Sequence, residues 1–338
     1  MARTGEAAGS WMRRSAVALA VTLLSVASAS AAEVCTAAQR AVADRALRLT
    51  NRQAARAVRQ VFPWGAPLST DPRSAHDLIV QREYVIGYDA DLRGPVWSAD
   101  VVGVRPLTGG RIDCFRADPR LAPHVAATKG DFSEPIFDQG HMVPNGDMTF
   151  DEVAILNTFV MSNMSPQFCQ FNRGTWQILE TFVRSWSRTG RPLYVFTGAV
   201  FDRDGNGTRD PDGAAVRMRS RNGESRVAVP SMYYKILARP RPDGGLETLT
   251  ILLRHDQVDV DGAAAVAYLD ANVSSIATVE KLTDLKFFPR RQGRRVEATR
   301  QWSVAGFKFR SLVNPTCRTT AGARIQADGP SVFALPNP

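Results

Sequence analysis

The chain has 338 residues, 44% of them hydrophobic and 22% charged, with 42 Lys and Arg against 33 Asp and Glu and a net charge of +9. This balance suits a folded globular protein of one large or two ordinary domains and excludes a disordered or fibrous chain. The positive excess favours polyanionic partners through steering and phosphate contacts, although an arginine-rich composition alone gives the same charge without one.

Arg13 and Arg14 precede an apolar, small-residue run from Ala16 to Ala32, with Ala29-Ser30-Ala31 placed as a cleavage site. The pattern reads as a signal peptide over residues 1–32 and implies a secreted or periplasmic protein of bacterial type. The run is short for a membrane span and no second span follows, so no membrane association is expected after cleavage; an uncleaved anchor is the alternative. Cleavage removes three Arg and one Glu and lowers the net charge to +7.

Residues 33–75 read as an N-terminal helical extension. Its helix, over 36–60, has one apolar face made by Ala38, Val42, Ala46 and Leu49. Short β-branched runs follow between Leu78 and Val102, namely Ile79-Val80, Tyr84-Val85-Ile86 and Val96-Trp97, and read as strands. Residues 107–134 read as loop, and Thr158 to Ser162 as a strand. Arg173 to Ser187 reads as a helix with two stripes. Trp176, Leu179, Val183 and Trp186 form the apolar one; Arg173, Gln177, Glu180 and Arg184 form the polar one.

Leu193 to Val200, Val227 to Leu237 and Leu246 to Leu253 read as further strands, and Val273 to Leu282 as a short helix. The main domain then spans 76–290, with 291–338 as a basic tail or small appended element. Strands outnumber helices and do not alternate with them, so the expected class is α+β, a central antiparallel sheet flanked by helices.

Four cysteines follow the export signal: Cys35, Cys114, Cys169 and Cys317. Their even number suggests two disulfides with three possible connectivities, and no spacing suggests zinc. The pairing favoured here is Cys35–Cys317 with Cys114–Cys169.

The segment richest in chemistry begins at Asp138-Gln139-Gly140-His141-Met142-Val143-Pro144. It continues through Asn163-Met164-Ser165-Pro166-Gln167 to Asn172-Arg173-Gly174-Thr175-Trp176 and Glu180. Phosphodiester hydrolysis needs a deprotonated water, neutralisation of transition-state charge and a stabilised leaving oxygen. One imidazole can do the first, and a divalent cation with an Arg can do the rest. His141 is one of four histidines and follows a glycine at a probable strand end. A lone histidine is more often a satisfied structural residue. Asn172 is a good helix N-cap, and its amide oxygen is also a suitable neutral ligand for Mg²⁺. Glu180 and Arg184 lie on one helix face, where an ordinary i,i+4 salt bridge is the plainer reading.

Together these residues resemble the DNA/RNA non-specific endonuclease family, the His-Me finger or ββα-metal nucleases. His141, Pro144, Asn163, Ser165-Pro166-Gln167, Asn172, Gly174, Trp176 and Leu179-Glu180 stand at the family's spacing. Weaker similarity extends over roughly residues 80–290. The resemblance implies a ββα-metal motif embedded in the sheet and hydrolysis of DNA and RNA with little sequence preference, leaving 5′-phosphates. It implies His141 as general base and Asn172 as direct ligand of Mg²⁺, with Mn²⁺ also compatible. It further implies Glu180 as a ligand through water, Arg184 as transition-state stabiliser and Asn163 as a residue that orients His141 or the phosphate. Monomer and homodimer both fit.

One position departs from the pattern. Gln139 stands where the family has an Arg that contacts phosphate. Arg173 or Arg116 is expected to supply the missing charge. The alternative is a weakly active or inactive nucleic-acid-binding protein on the same fold; a phosphodiesterase of non-nucleic substrates is a third reading. Separately, Asp202, Asp204, Asn206 and Asp210 stand at the spacing of the first nine positions of an EF-hand calcium loop. The twelfth position is Gly213 rather than Glu, so a polar hairpin loop competes with a Ca²⁺ site.

Overall fold

The structure is a computed structural model that describes Met1 and residues 33–187, 191–220, 223–256, 262–291 and 294–303. The expected signal peptide, most of the expected C-terminal tail and Cys317 lie outside these residues. Among the described residues no helix is long and apolar enough to cross a membrane.

Strands β1 (Asp77–Val80), β2 (Tyr84–Asp89) and β3 (Gly94–Val102) form a meander, as the β-branched runs in the sequence require. Strands β4 (Phe137–His141) and β5 (Met164–Phe168) pair with each other outside the main sheet. The sheet continues through β6 (Leu193–Val200), β7 (Met232–Pro240), β8 (Leu246–Arg254), β9 (Val273–Ser274) and β10 (Arg295–Glu297). Its order is β9-β8-β7-β6-β3-β2-β1, antiparallel throughout, with β10 added parallel to the outer edge of β8.

Both sheet faces are covered, which explains why its central strands are apolar on consecutive residues. On β7, Tyr233 and Leu237 enter one core while Tyr234 and Ile236 enter the other. The first core is roofed by α4 (Gln177–Ser187) and α5 (Gly262–Ala271), the second by α2 (Asn51–Val61) and α6 (Ile276–Thr283). The apolar stripe expected on α4 is buried: Trp176, Leu179, Val183 and Trp186 are each at most 4% exposed.

Several expectations are corrected. The single helix over 36–60 is two, α1 (Ala37–Ala46) and α2, each opened by a Thr–Gln capping box at Thr36 and Thr50. The expected apolar face of α1 is the wrong one. Val42 is exposed, and Ala43 and Leu47 are buried. An Ala/Arg-rich helix carries too little apolar contrast to orient itself, so α1 is oriented by its packing on α3 (Glu152–Asn157).

Thr158 to Ser162 is not a strand; a 3₁₀ turn at Met161–Asn163 precedes β5. The helix expected from Arg173 starts only at Gln177, after a π-turn over Asn172–Trp176. The strand expected from Val227 to Leu237 is interrupted at Val229-Pro230-Ser231, where proline cannot donate to a ladder. The helix expected from Val273 begins at Ile276, capped by Ser275.

Both favoured disulfides are overturned, because Cys35 bonds Cys114, their Cα atoms 5.2 Å apart. Glu33–Val34 pairs in parallel with Ile112–Asp113, which sets the two cysteines side by side. Cys169 is also disulfide-bonded. Residues beyond 290 join the fold: β10 lines β8, and Trp302 packs edge-on against Trp186.

His255 is fully buried among Phe168, Phe171 and Tyr233. Its Nε2 accepts from the Phe168 amide at 2.7 Å, so Nδ1 donates to the Pro230 carbonyl at 2.9 Å. Burial holds its pKa down to about 3, with the Pro230 bond opposing. The native ring therefore stays neutral while the unfolded ring takes a proton below about 6.5. This contribution to stability is present above pH 6.5 and is lost as pH falls towards 3, by about 1.4 kcal/mol per pH unit. Thermal unfolding between pH 7 and 4.5 should show His255→Gln with a shallower acid slope, by about one proton. An unchanged slope would contradict this assignment.

Candidate active site

The β4–β5 pair is read from its register. His141 stands opposite Met164, Gly140 opposite Ser165 and Gln139 opposite Pro166. Gly140 is required here, since a Cβ would lie 2.3 Å from the Gln167 side chain, which is wholly buried. The closely set pair delivers His141 to the strand's end, and α4 follows β5 to complete a ββα unit.

A polar cleft of about 590 Å³ opens at that end. Gln139, His141, Asn172, Arg173, Glu180 and Arg184 all line it, and so does Gln177. The structure thus brings together most of the residues singled out in the sequence, including the whole polar stripe of the helix.

His141 is 9% exposed, with Phe159 edge-on at 4.8 Å and Phe115 at 6.1 Å between ring centroids. Its Nε2 is buried without a hydrogen-bond partner. Burial, and then the charge of Arg111, hold its pKa down to about 3, so the imidazole is neutral. Asn172 sits in the π-turn, which departs from helical geometry at Gly174 (φ −112°, ψ −110°). Its Nδ2 donates to Asp138 Oδ2 at 2.9 Å, which turns the amide oxygen away from that carboxylate. Asp138 also receives both arms of Arg173, at 2.7 and 2.8 Å. One carboxylate therefore fixes two cleft side chains.

Glu180 is pushed up to about 7, first by burial, with Lys235 and Arg184 opposing and Asp147 reinforcing. The expected Glu180–Arg184 salt bridge is replaced. Arg184 donates to Asp147 Oδ1 at 3.0 Å, and Asp147 is 3% exposed. Behind this layer lies Lys235, 1% exposed, whose Nζ donates to Thr197 Oγ1 at 2.7 Å and lies 4.7 Å from the Trp176 ring centre. Asp100 is also buried, both carboxylate oxygens lacking partners, and burial drives its pKa well above the usual range.

One candidate does not line the cleft, and another acts from behind it. Arg116 is 7% exposed and does not line the cleft. Its guanidinium is consumed by Asp44, Asn157 Oδ1 and the carbonyls of Cys114 and Leu156. Asn163 is fully buried. Its Oδ1 accepts from the Val143 amide, and its Nδ2 donates to the carbonyls of Val143 and Thr158. It therefore holds the chain leaving His141 and has no side-chain atom left for a phosphate.

The sequence reading missed Arg111, which lines the cleft and pairs with Asp113 at 2.6 Å. It lies in a loop-rich stretch with no motif. Asp138, Asp147, Asp100 and Lys235 were missed as partners. Of these only Asp138 carried a signal, as the first residue of the histidine motif.

A model of the DNA/RNA non-specific endonuclease family matches residues 69–293. The chain belongs to that family. Nuclease C1 of Cunninghamella echinulata var. echinulata is 33% identical over 225 residues, which cover 64% of this nuclease and 85% of that protein. Human mitochondrial endonuclease G is 28% identical over 212 residues, 62% of this nuclease and 68% of that protein. Among solved structures, a chain from the crystal structure of the EndoG/EndoGI complex shares the fold. Its TM-score is 0.56 at 22% identity, over 70% of this nuclease and 92% of that chain.

If Arg116 is a structural residue, Arg116→Ala should lower stability by about 1–3 kcal/mol, because it strands the buried acceptors of Cys114, Leu156 and Asn157 while Asp44 stays partly exposed. Specific activity of the folded fraction should stay within about twofold of the parent. Denaturant unfolding alongside plasmid cleavage checks both, and a raised KM at unchanged stability would restore Arg116 to substrate binding.

Proposed function

We propose that this nuclease is an exported, divalent-metal-dependent enzyme that cleaves DNA and RNA without sequence preference and leaves 5′-phosphates. The convergence of His141, Asn172 and Glu180 on one polar cleft carries this reading. Export is supported by the signal-like segment before Cys35 and by the disulfide that closes 79 residues between Cys35 and Cys114.

The donor set fits a hard cation of the Mg²⁺ type. Asn172 offers a neutral oxygen held in place by Asp138, and Glu180 offers a carboxylate one step further along the cleft. Asn172 would hold the ion directly and Glu180 through water. When bound, it supplies positive charge to the non-bridging and leaving oxygens of the phosphate.

The chain's own groups do the rest. His141 accepts the proton of the attacking water. With Nε2 enclosed, Nδ1 is the nitrogen that serves. Arg184, locked to Asp147, offers a fixed charge to the transition state. Arg173 and Arg111, which also line the cleft, supply the phosphate contacts that Gln139 cannot, while Gln139 offers one hydrogen bond. Contacts of this kind read the backbone and leave the bases unread, which accounts for tolerance of both polymers.

Purified protein should degrade plasmid and RNA with Mg²⁺ and stop with EDTA. His141→Ala should lower the rate by about 10²–10⁴-fold with folding intact by circular dichroism. Retained cleavage in that variant removes the assignment. With two arginines already covering the phosphate, Gln139→Arg should change kcat/KM by less than about threefold. A gain on the order of tenfold or more means the missing charge is uncompensated.

The raised pKa of Glu180 adds a pH test. Below about 7 the carboxyl is protonated, so cation binding competes with a proton. At subsaturating Mg²⁺, activity should fall by up to about tenfold per pH unit below 7 and recover with excess metal. Glu180→Gln should remove this dependence; its persistence would place the titration elsewhere.

A further inference from the structure

The loop that leaves β6 was not absorbed by the nuclease reaction. Its residues Asp202, Asp204 and Asp210 each bring a carboxylate oxygen within 4.8 Å of the others. None of the three lines the catalytic cleft. Asp202 is only 2% exposed, and its Oδ1 is buried without a hydrogen-bond partner. Burying a carboxylate oxygen with nothing to pair it is costly and asks for a counter-charge.

No protein cation fills that place. Arg209 is turned to Asp212 and Asp89, and among the described residues no Lys or Arg forms an ion pair with Asp202, Asp204 or Asp210. The rest of the loop is already folded around the three acids. Gly207, at φ +80°, donates its amide to Asp202 Oδ2 at 3.1 Å. The amide of Arg203 donates to Asp210 Oδ2, and that of Asp210 to the Phe201 carbonyl, at 2.7 Å each. The loop mouth is closed before any ion enters.

We propose that this loop binds a single Ca²⁺ ion, held by Asp202 Oδ1, Asp204 and Asp210 and completed by Asn206 or backbone oxygen and water. The site is structural and separate from the cleft. Oxygen-only donors drawn from one short loop suit Ca²⁺, which takes six to eight ligands in loose geometry, better than octahedral Mg²⁺. The spacing of these acids matches the first nine positions of an EF-hand loop, but the twelfth is Gly213. Asp212, the adjacent acid, is spent on Arg209 and does not replace the missing bidentate ligand. The affinity expected is therefore in the weak range of extracellular modules, Kd about 10⁻⁴–10⁻³ M.

The test uses the purified chain, stripped with EDTA and titrated with CaCl₂ alone in the absence of nucleic acid. Thermal unfolding should shift upward by a few degrees, about 2–6 °C, between 0.1 and 10 mM Ca²⁺. Trypsin cleavage after Arg203 and Arg209 should slow over the same range. Asp204→Asn, at an exposed position, and Asp202→Asn should each abolish both effects, while Asn172→Ala in the cleft should keep them. A flat titration of the parent protein, a shift that survives both loop variants, or one lost in Asn172→Ala would each overturn the proposal.

Discussion

The catalytic arrangement depends on the close pairing of β4 with β5. Gly140 lets Gln167 lie against the β4 backbone, and Asn163 ties the chain beyond His141 with three side-chain hydrogen bonds. A one-residue slip in this pair would move His141 to the opposite face and out of the cleft. Asn145 Nδ2 donates to Thr158 Oγ1, and the Met142 amide donates to the Asn163 carbonyl.

Beneath the cleft the core is not apolar. Asp100, Asp147, Glu180, Lys235 and Arg184 sit together on the α4 side of the sheet. Three acids and two bases there would be destabilising if all were charged and unpaired. Arg184 and Asp147 are paired directly. Burial raises Asp100 and Glu180 and lowers Lys235, each shift favouring the neutral form. Such a layer is costly to keep in a protein selected only for stability. It is intelligible beneath a polar cleft proposed to receive a cation and a phosphate.

The sheet strands and α4 were readable because both rest on strong local contrast. Leu193–Val200 is apolar at nearly every position, and Trp176, Leu179, Val183 and Trp186 repeat at helical spacing. Helix α1 was misoriented because alanine faces differ little in hydrophobicity. The cleft residues on one helix face were legible as a stripe, since spacing alone sets their direction. Arg116 was misread because composition cannot tell a buried donor from an exposed one. Its guanidinium makes four hydrogen bonds, to Asp44, Asn157 Oδ1 and the carbonyls of Cys114 and Leu156. The disulfide pairing depended on Glu33–Val34 lying beside Ile112–Asp113, a contact between segments about 80 residues apart that no local pattern encodes.

A base whose pKa is held near 3 has little drive to take a proton, which poses a physical difficulty for His141. The causes of that depression suggest how it is relieved. Burial contributes most, and Arg111 adds a positive charge at the cleft mouth. A bound phosphodiester brings a negative charge to the same place, and Arg111 is then engaged by it. The like-charge penalty on the imidazolium would then be reduced, while burial, the larger cause, still opposes protonation. In the empty cleft, burial and Arg111 keep the ring neutral. For the proposed role of His141, occupancy of the cleft by an anion acts on the smaller of the two causes, and exclusion of water by burial keeps the ring a neutral acceptor.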